Sequence, residues 1–260
     1  MSPKSLDNKK SKNSNNNKEN LNENDKKKIN DNNSLKSRTK KIKKNYLKGK
    51  QLINWLYLSG VISIIFYILH DIIGTINYPG YQWKSQPISD LTAIDAPSFS
   101  ISKKFSSLYG IFSSLCCTLI SIQIYNHHKK EDNNNMLLKI GIYLFTLMNY
   151  ISSIGYYLFP LTSSGYDGSF RSIVHVYIIT LIVVLLSIIS LTLIAISSYK
   201  KGEKFSSLSY LSTITLFLMV IGAIGSGVVP KIYFGILERL SAYSVVIFNG
   251  ILGFYGFMTF

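Results

Sequence analysis

The 260 residues carry a formal net charge of +15, but 16 Lys/Arg against 5 Asp/Glu fall in Met1–Lys50, leaving 12 against 8 for the rest. The total of 47% hydrophobic residues is likewise uneven, because the first fifty positions contribute almost none of it, and the remainder is far richer in apolar side chains than a soluble domain. The basic total therefore describes an arm attached to a nearly neutral apolar body, and it excludes a nucleic-acid-binding domain.

The arm, Met1–Lys50, is built from Asn, Lys, Ser, Asp and Glu. A segment of this composition cannot bury enough surface to offset its ordering entropy and is expected to be disordered. It has no apolar core of the length a secretory leader needs. Its last part, KSRTKKIKKNYLKGK from Lys36 to Lys50, abuts the first apolar run. Lys40, Lys41, Lys43, Lys44, Lys48 and Lys50 suit a membrane-surface role, as a cytoplasmic topology signal and as a contact for anionic lipids, worth roughly 1 kcal/mol per basic residue near the surface.

Six apolar runs follow, at 52–76, 105–125, 136–159, 172–198, 206–229 and 240–260, each close to the ~20 residues that cross a hydrocarbon core. They are continuously apolar instead of striped, and they lack the alternation of a membrane barrel. The expected fold is all-α, an integral membrane six-helix bundle behind a disordered tail, with the lipid bilayer as its first partner. If all six cross, the loops NHHKKEDNNN (126–135) and YKKGEKF (199–205) share the side of the arm. Basic residues are otherwise evenly divided between the two sides. The eight between Lys36 and Lys50 decide the orientation and place both termini in the cytoplasm.

Within the runs, Gly222, Ser226, Gly250, Gly253 and Gly256 let helix backbones approach closely, and Asn149 and Asn249 can hydrogen-bond between helices. Cys116 and Cys117 are adjacent and lipid-buried, so they read as core thiols and not as a disulfide or a zinc site. His127–His128 lies in a solvated turn.

Polar residues gather on the opposite face. The first long connection contains YPGYQWKSQPISDL, Tyr78 to Leu91. Pro79-Gly80 favours a tight turn, and Tyr78, Tyr81 and Trp83 suit the headgroup layer. Ser89–Asp90 is placed to cap a short helix through LTAIDA, and the connection is long enough to roof the bundle. His70–Asp71 lies at the end of the first run. Arg171 opens the fourth, with His175 one turn later on the same face. Glu238–Arg239 opens the sixth, after an interfacial helix over KIYFGIL. Ionisable groups at such depths are costly unless paired or hydrated, and by default they mark function. His70, Asp71, Ser89, Asp90, Arg171, His175, Glu238 and Arg239 are therefore the candidate ligand-binding set. An ion pair of Asp71 with Arg171 or Arg239, and a helix-start acid at Glu238, would account for much of it structurally. His70, Asp90 and His175 also have the chemistry to hold a divalent metal with an open position for water, the outline of a lipid hydrolase. No fixed histidine spacing such as HxxxH supports that outline.

YPGYQWKSQPISDLTAIDAPS, FPLTSSGYDGSFRSIVH (159–175) and GILERLSAYSVVIFNGILG (235–253) resemble the blocks of the six-helix membrane family catalogued as domain of unknown function 998. The resemblance covers Ile53 to Phe260 and implies six spans in one domain, with no settled activity. Pro79, Gly80, Ser89, Asp90, Pro160, His175, Glu238 and Arg239 fall in its blocks. Asp167 lies where members are expected to vary, and the basic arm is not typical.

The function expected is that of a membrane protein with a polar pocket on its outward face, binding a lipid headgroup or small solute. A metal-dependent lipid hydrolase and a solute or proton-coupled transporter are the alternatives, and the latter has chiefly Asn149, Asn249 and serines to continue a polar path.

Overall fold

The computed structural model describes residues 23–130, 136–200 and 203–259, which form helices and turns. The chain divides into two units, Met1–Leu52 and Ile53–Phe260. The front of the arm, 1–22, and the loop residues 131–135 lie outside the described residues, as does most of the expected turn at 201–202. From Glu23 the arm is helical, as part of α1 (Glu23–Tyr57). Between Glu23 and Lys48 no Pro or Gly interrupts a run rich in Lys, a residue that tolerates helix well. The lack of a core expected from composition still holds: its described side chains up to Gly49 are exposed.

The second unit continues through α2 (Ser59–Ile76), α3 (Phe99–Lys130), α4 (Met136–Leu158), α5 (Phe170–Ile173), α6 (Thr180–Lys200), α7 (Glu203–Val228) and α8 (Phe234–Thr259). Among the described residues six segments are long and apolar enough to cross a membrane: Ser34–Ile76, Phe99–Asn126, Met136–Leu158, Phe170–Tyr199, Ser206–Val228 and Lys231–Thr259. They match the six expected runs, and four begin earlier, at Ser34, Phe99, Phe170 and Lys231. α3 starts at Phe99, with Ser98 buried ahead of it. The sixth starts before Glu238, because Pro230 introduces a 3-10 turn, Lys231–Tyr233, that feeds directly into α8. The separate interfacial helix expected over KIYFGIL is therefore absent, and Glu238 and Arg239 lie in the second turn of α8 instead of opening it. α3 also runs on to Lys130, so His127 and His128 belong to helix and not to a turn.

The helices close a ring. α2 packs on α3, α3 on α4, α4 on α6, α6 on α7, α7 on α8 and α8 back on α2, with α3 and α8 touching across it. Large apolar side chains such as Ile65, Leu181, Leu185, Phe217 and Phe254 face outward, where lipid is as apolar as they are. Small and polar residues face inward, as expected where association depends on close packing and not on hydrophobic transfer. Buried serines bond their own helix: Ser63 Oγ donates to the Gly60 carbonyl (2.7 Å) and Ser212 Oγ to that of Leu208 (2.7 Å). The middle is sealed by Phe145 against Phe248, edge to face at 5.3 Å. Beside them Asn249 Nδ2 donates to Asn149 Oδ1 (3.1 Å), and the Cys117 thiol reaches Asn249 Oδ1 (3.3 Å). Both cysteines are buried and free. Towards the Lys130 end of α3, Ile120, Ile124, Leu138, Ile142 and Leu252 are buried together with Ser197, Ser209 and Ser212.

α2 and α8 meet backbone to backbone. A methyl at Gly253 would collide with the Tyr57 carbonyl and crowd Gly60 Cα, whereas at Gly227 on α7 nothing lies within 4 Å. Gly253→Leu is therefore expected to destabilise the bundle by about 1–3 kcal/mol through overpacking, while Gly227→Leu stays within about 0.5 kcal/mol. Thermal unfolding in detergent measures both.

Candidate functional site

Three connections meet at one end of the ring. Tyr78–Tyr81 forms the expected tight turn, with the Tyr81 N–H on the Tyr78 carbonyl (3.1 Å) and Gly80 at φ 81°, a backbone angle that favours glycine. The turn directs Tyr81 inward: its ring is buried with Ile88 and Leu91, and Tyr81 is not a headgroup-layer side chain. Trp83 stays half exposed. The segment Ile88–Thr92 is a 3-10 turn preceded by Pro87, without a side-chain cap. Ser89 and Asp90 thus lie inside the turn instead of capping it. Asp90 is buried and accepts the Gly165 N–H from the second connection (2.9 Å). Alongside, the Ile94 N–H donates to the Leu161 carbonyl (2.9 Å) and the Ser164 N–H to Asp95 (2.9 Å). Burial raises the Asp90 carboxyl above its ordinary value, against the pull of the Gly165 and Gln86 donors. Asp167 is exposed and bonds the N–H and hydroxyl of Ser169, which caps α5. Those local bonds, first that to Ser172, lower its carboxyl below the usual value.

The strongest constellation is at the start of α8. The Arg239 guanidinium donates through Nε and Nη2 to Asp71 on α2 (3.0 and 2.9 Å), through Nη1 to the carbonyls of Trp83 (2.9 Å), Gln86 (3.1 Å) and Gly235 (3.2 Å), and through Nη2 to the Tyr81 hydroxyl (2.7 Å). The five N–H donors of an arginine are thereby all engaged. Asp71 also accepts the Tyr243 hydroxyl (3.0 Å), and the Tyr81 hydroxyl in turn donates to the Pro87 carbonyl (2.8 Å). Burial holds the Tyr81 phenol well above its ordinary value despite the nearby guanidinium, so it remains an O–H able to serve both partners. The side chains of the ion pair are only 10% and 11% exposed. Glu238, the preceding residue, accepts the Ile88 N–H (2.7 Å). Two consecutive residues of α8 thus hold the same connection. Gly235 makes this possible, since a side chain there would strike the Trp83 and Gln86 carbonyls that Arg239 grips.

The other candidates have separate surroundings. Arg171 is exposed and makes no ion pair among the described residues, so Asp71 pairs with Arg239. Ser89 is half-buried. His175 is buried in a π-helical segment, Val174–Ile179, which breaks the continuous helix and the shared face with Arg171 expected from their four-residue spacing. Its Nδ1 meets the Phe159 carbonyl (2.7 Å), just past the end of α4 where Pro160 stops the helix. That contact assigns the proton to Nδ1. His70 is buried between α2 and its neighbours, its ring 5.7 Å from Tyr67, and neither ring nitrogen has a partner. Among the described residues no three His, Cys, Asp or Glu side chains stand close enough to hold a metal ion, so His70, Asp90 and His175 do not form one centre. Tyr243 and Gly235 were not singled out from the sequence, and Tyr81 was expected in the headgroup layer and not among these contacts. Gly235, one turn before Arg239 on the same helix face, was the available sign.

Beside the ion pair lies a cleft of about 360 Å³ lined by Asp71, Ile72, Thr75, Ile76, Trp83 and Arg239. Ile72 and Ile76 point outward from α2 and are exposed, so the cleft opens sideways at the end of the span.

These features define a multi-pass helical membrane protein with a roofed polar layer at one end. A match to the family described as protein of unknown function (DUF998) spans residues 61–255, and the chain belongs to that family. Neither a curated protein nor a solved structure matches it.

Arg239→Lys, which keeps the charge but not the fork, is expected to free the 78–92 connection. Trypsin cleavage after Lys84 should rise at least about tenfold, since breaking a buried pair costs about 3–5 kcal/mol. The Asp90 carboxyl, with its folded value raised, contributes stability that is full below the ordinary carboxylate range of about pH 4 and is lost as pH rises through the folded value. Protection of the connection from protease should therefore decline over that window, and Asp90→Asn, which keeps the acceptor, should flatten the profile.

Proposed function

We propose that the protein binds a polar membrane lipid, headgroup first, in the cleft between α2 and the first connection. The observation that carries this is the cleft's make-up: a polar floor of Asp71 and Arg239, apolar side chains of α2 open to the bilayer, and Trp83 at the rim. An acyl chain can lie along Ile72 and Ile76 while the headgroup reaches the floor. The ion pair is neutral as a unit and Arg239 has no N–H left over, so the floor suits a zwitterionic or uncharged headgroup better than an anionic one. Lys84, with its ammonium 5.8 Å from the Trp83 ring, supplies a cation at the rim for a phosphate.

The basic arm supports a second, looser lipid contact. Lys40, Lys41, Lys43, Lys44 and Lys48 are exposed and fit attraction to anionic headgroups, with the arm cytoplasmic and the roofed layer on the far side. The hydrolase alternative lacks a comparable supporting observation, because the candidate metal ligands are dispersed, and beyond the Asn149–Asn249 pair the buried polar side chains are serines bonded to helix carbonyls, such as Ser190, Ser209 and Ser212.

Thr75→Trp fills the cleft without touching a bond of the ion pair. Native mass spectrometry of protein released from mixed-lipid nanodiscs should show wild type retaining a zwitterionic phospholipid. The variant should retain it at least about tenfold less, a difference of about 1.4 kcal/mol. Equal retention by both, or preferential retention of anionic lipid at this site, would contradict the proposal.

A further inference from the structure

Each long helix of the ring turns a stripe of side chains outward. On α2 and α6 that stripe is aliphatic, with Ile62, Ile65 and Ile72 on the first and Leu181, Leu185 and Ile189 on the second. The stripe of α4 is different. Ile140, Tyr143, Leu147, Tyr150, Ile154 and Tyr157 are all exposed, and their spacing alternates between three and four residues. Its tyrosines therefore recur every seven residues along one outward line, the a/d repeat of a coiled-coil seam. Tyr157 lies at the end of the helix, where a phenol suits the headgroup layer. The other two lie deeper: Tyr143 stands about 10 Å along the helix from Met136, and Tyr150 about 10 Å further. Both fall within a hydrocarbon core ~30 Å thick.

The two deep phenols are met differently by the protein. Thr118 Oγ1 on α3 donates to the Ser114 carbonyl (2.7 Å), so the Tyr150 hydroxyl is the donor in its 2.9 Å bond to Thr118 Oγ1. Tyr143 is 40% exposed, and its hydroxyl has no hydrogen-bond partner among the described residues. An acyl chain offers a phenol neither donor nor acceptor. A second copy of the stripe offers both. In a parallel pair related by a two-fold axis along the membrane normal, a seam position faces its own copy, and one Tyr143 hydroxyl can donate to the other. The stripe carries no charged residue, so no like charges meet across the axis. Its area is sufficient as well. At roughly 100 Å² of exposed surface per side chain, the six residues bring about 1,200 Å² to a pair, the lower bound for a stable specific interface.

We infer that the protein pairs with a second copy of itself in the membrane, through the outward face of α4. That face lies two places round the ring from α2, so the pairing surface is separate from the lipid cleft and does not rest on the lipid proposal.

Single-molecule photobleaching tests it, on the full chain labelled at its N-terminus and reconstituted in large zwitterionic liposomes. Two-step bleaching should grow out of a single-step population as protein density rises. Tyr143→Phe, which keeps the ring and loses the hydroxyl, should weaken pairing at least about threefold. In the same vesicles, oxidation with copper phenanthroline should link Leu147→Cys into a disulfide dimer and leave Leu185→Cys, on the outward face of α6, unlinked. Cys116 and Cys117 are buried, so wild type supplies the background. Single-step bleaching of wild type at every density would overturn the inference, and that measurement needs no variant. Cross-linking of Leu185→Cys in place of Leu147→Cys, or pairing of Tyr143→Phe as tight as that of wild type, would also overturn it.

Discussion

Everything at the loop end of this protein depends on one buried guanidinium. Arg239 joins α8 to α2 through Asp71 and joins both to the first connection through Tyr81 and the carbonyls of Trp83 and Gln86. A charge taken out of water stabilises a structure only when its hydrogen-bonding capacity is met in full, and here each donor has a partner. The connection is consequently part of the folded body and not a loop above it. Its buried residues Ile88, Leu91 and Ala93 do for the end of the bundle what Phe145 and Phe248 do for the middle.

That arrangement separates two kinds of polar environment. The ion pair is complete and electrically neutral, which suits a strut and the floor of a lipid-facing cleft. Elsewhere among the helices the polar environment is incomplete: both ring nitrogens of the buried His70 lack a partner. Buried polar groups without partners are costly. The lipid proposal rests on the first environment.

Much of the fold was legible in the sequence because membrane spans are constrained by length and by internal backbone bonding. The six runs, the Pro79-Gly80 turn, the core placement of Cys116 and Cys117, and the interhelical hydrogen bonding of Asn149 and Asn249 all follow from local pattern. The site was legible as a set of residues but not as a set of contacts. Sequence offered Asp71 two possible arginines and could not choose between them, because the choice depends on helix order around a ring. It placed Glu238 and Arg239 at a helix start, although the helix begins at Phe234, and so missed that both reach back to one connection. It set His175 on the face of Arg171, whereas a π-helical segment interrupts the helix between Val174 and Ile179. It grouped His70, Asp90 and His175 by chemistry, but packing gives each a different neighbour.

Hydrogen exchange of the protein in nanodiscs tests the central claim, that the first connection is clasped into the folded body by Glu238 and Arg239. The amides of Ile88, Ile94 and Ile236 donate to Glu238, Leu161 and Lys84 respectively. They should exchange slowly and together, at the pace of the helix ends they join. Exchange of the Ile88 and Ile236 amides at the rate of a solvent-exposed turn, with the adjoining helix ends protected, would contradict the account.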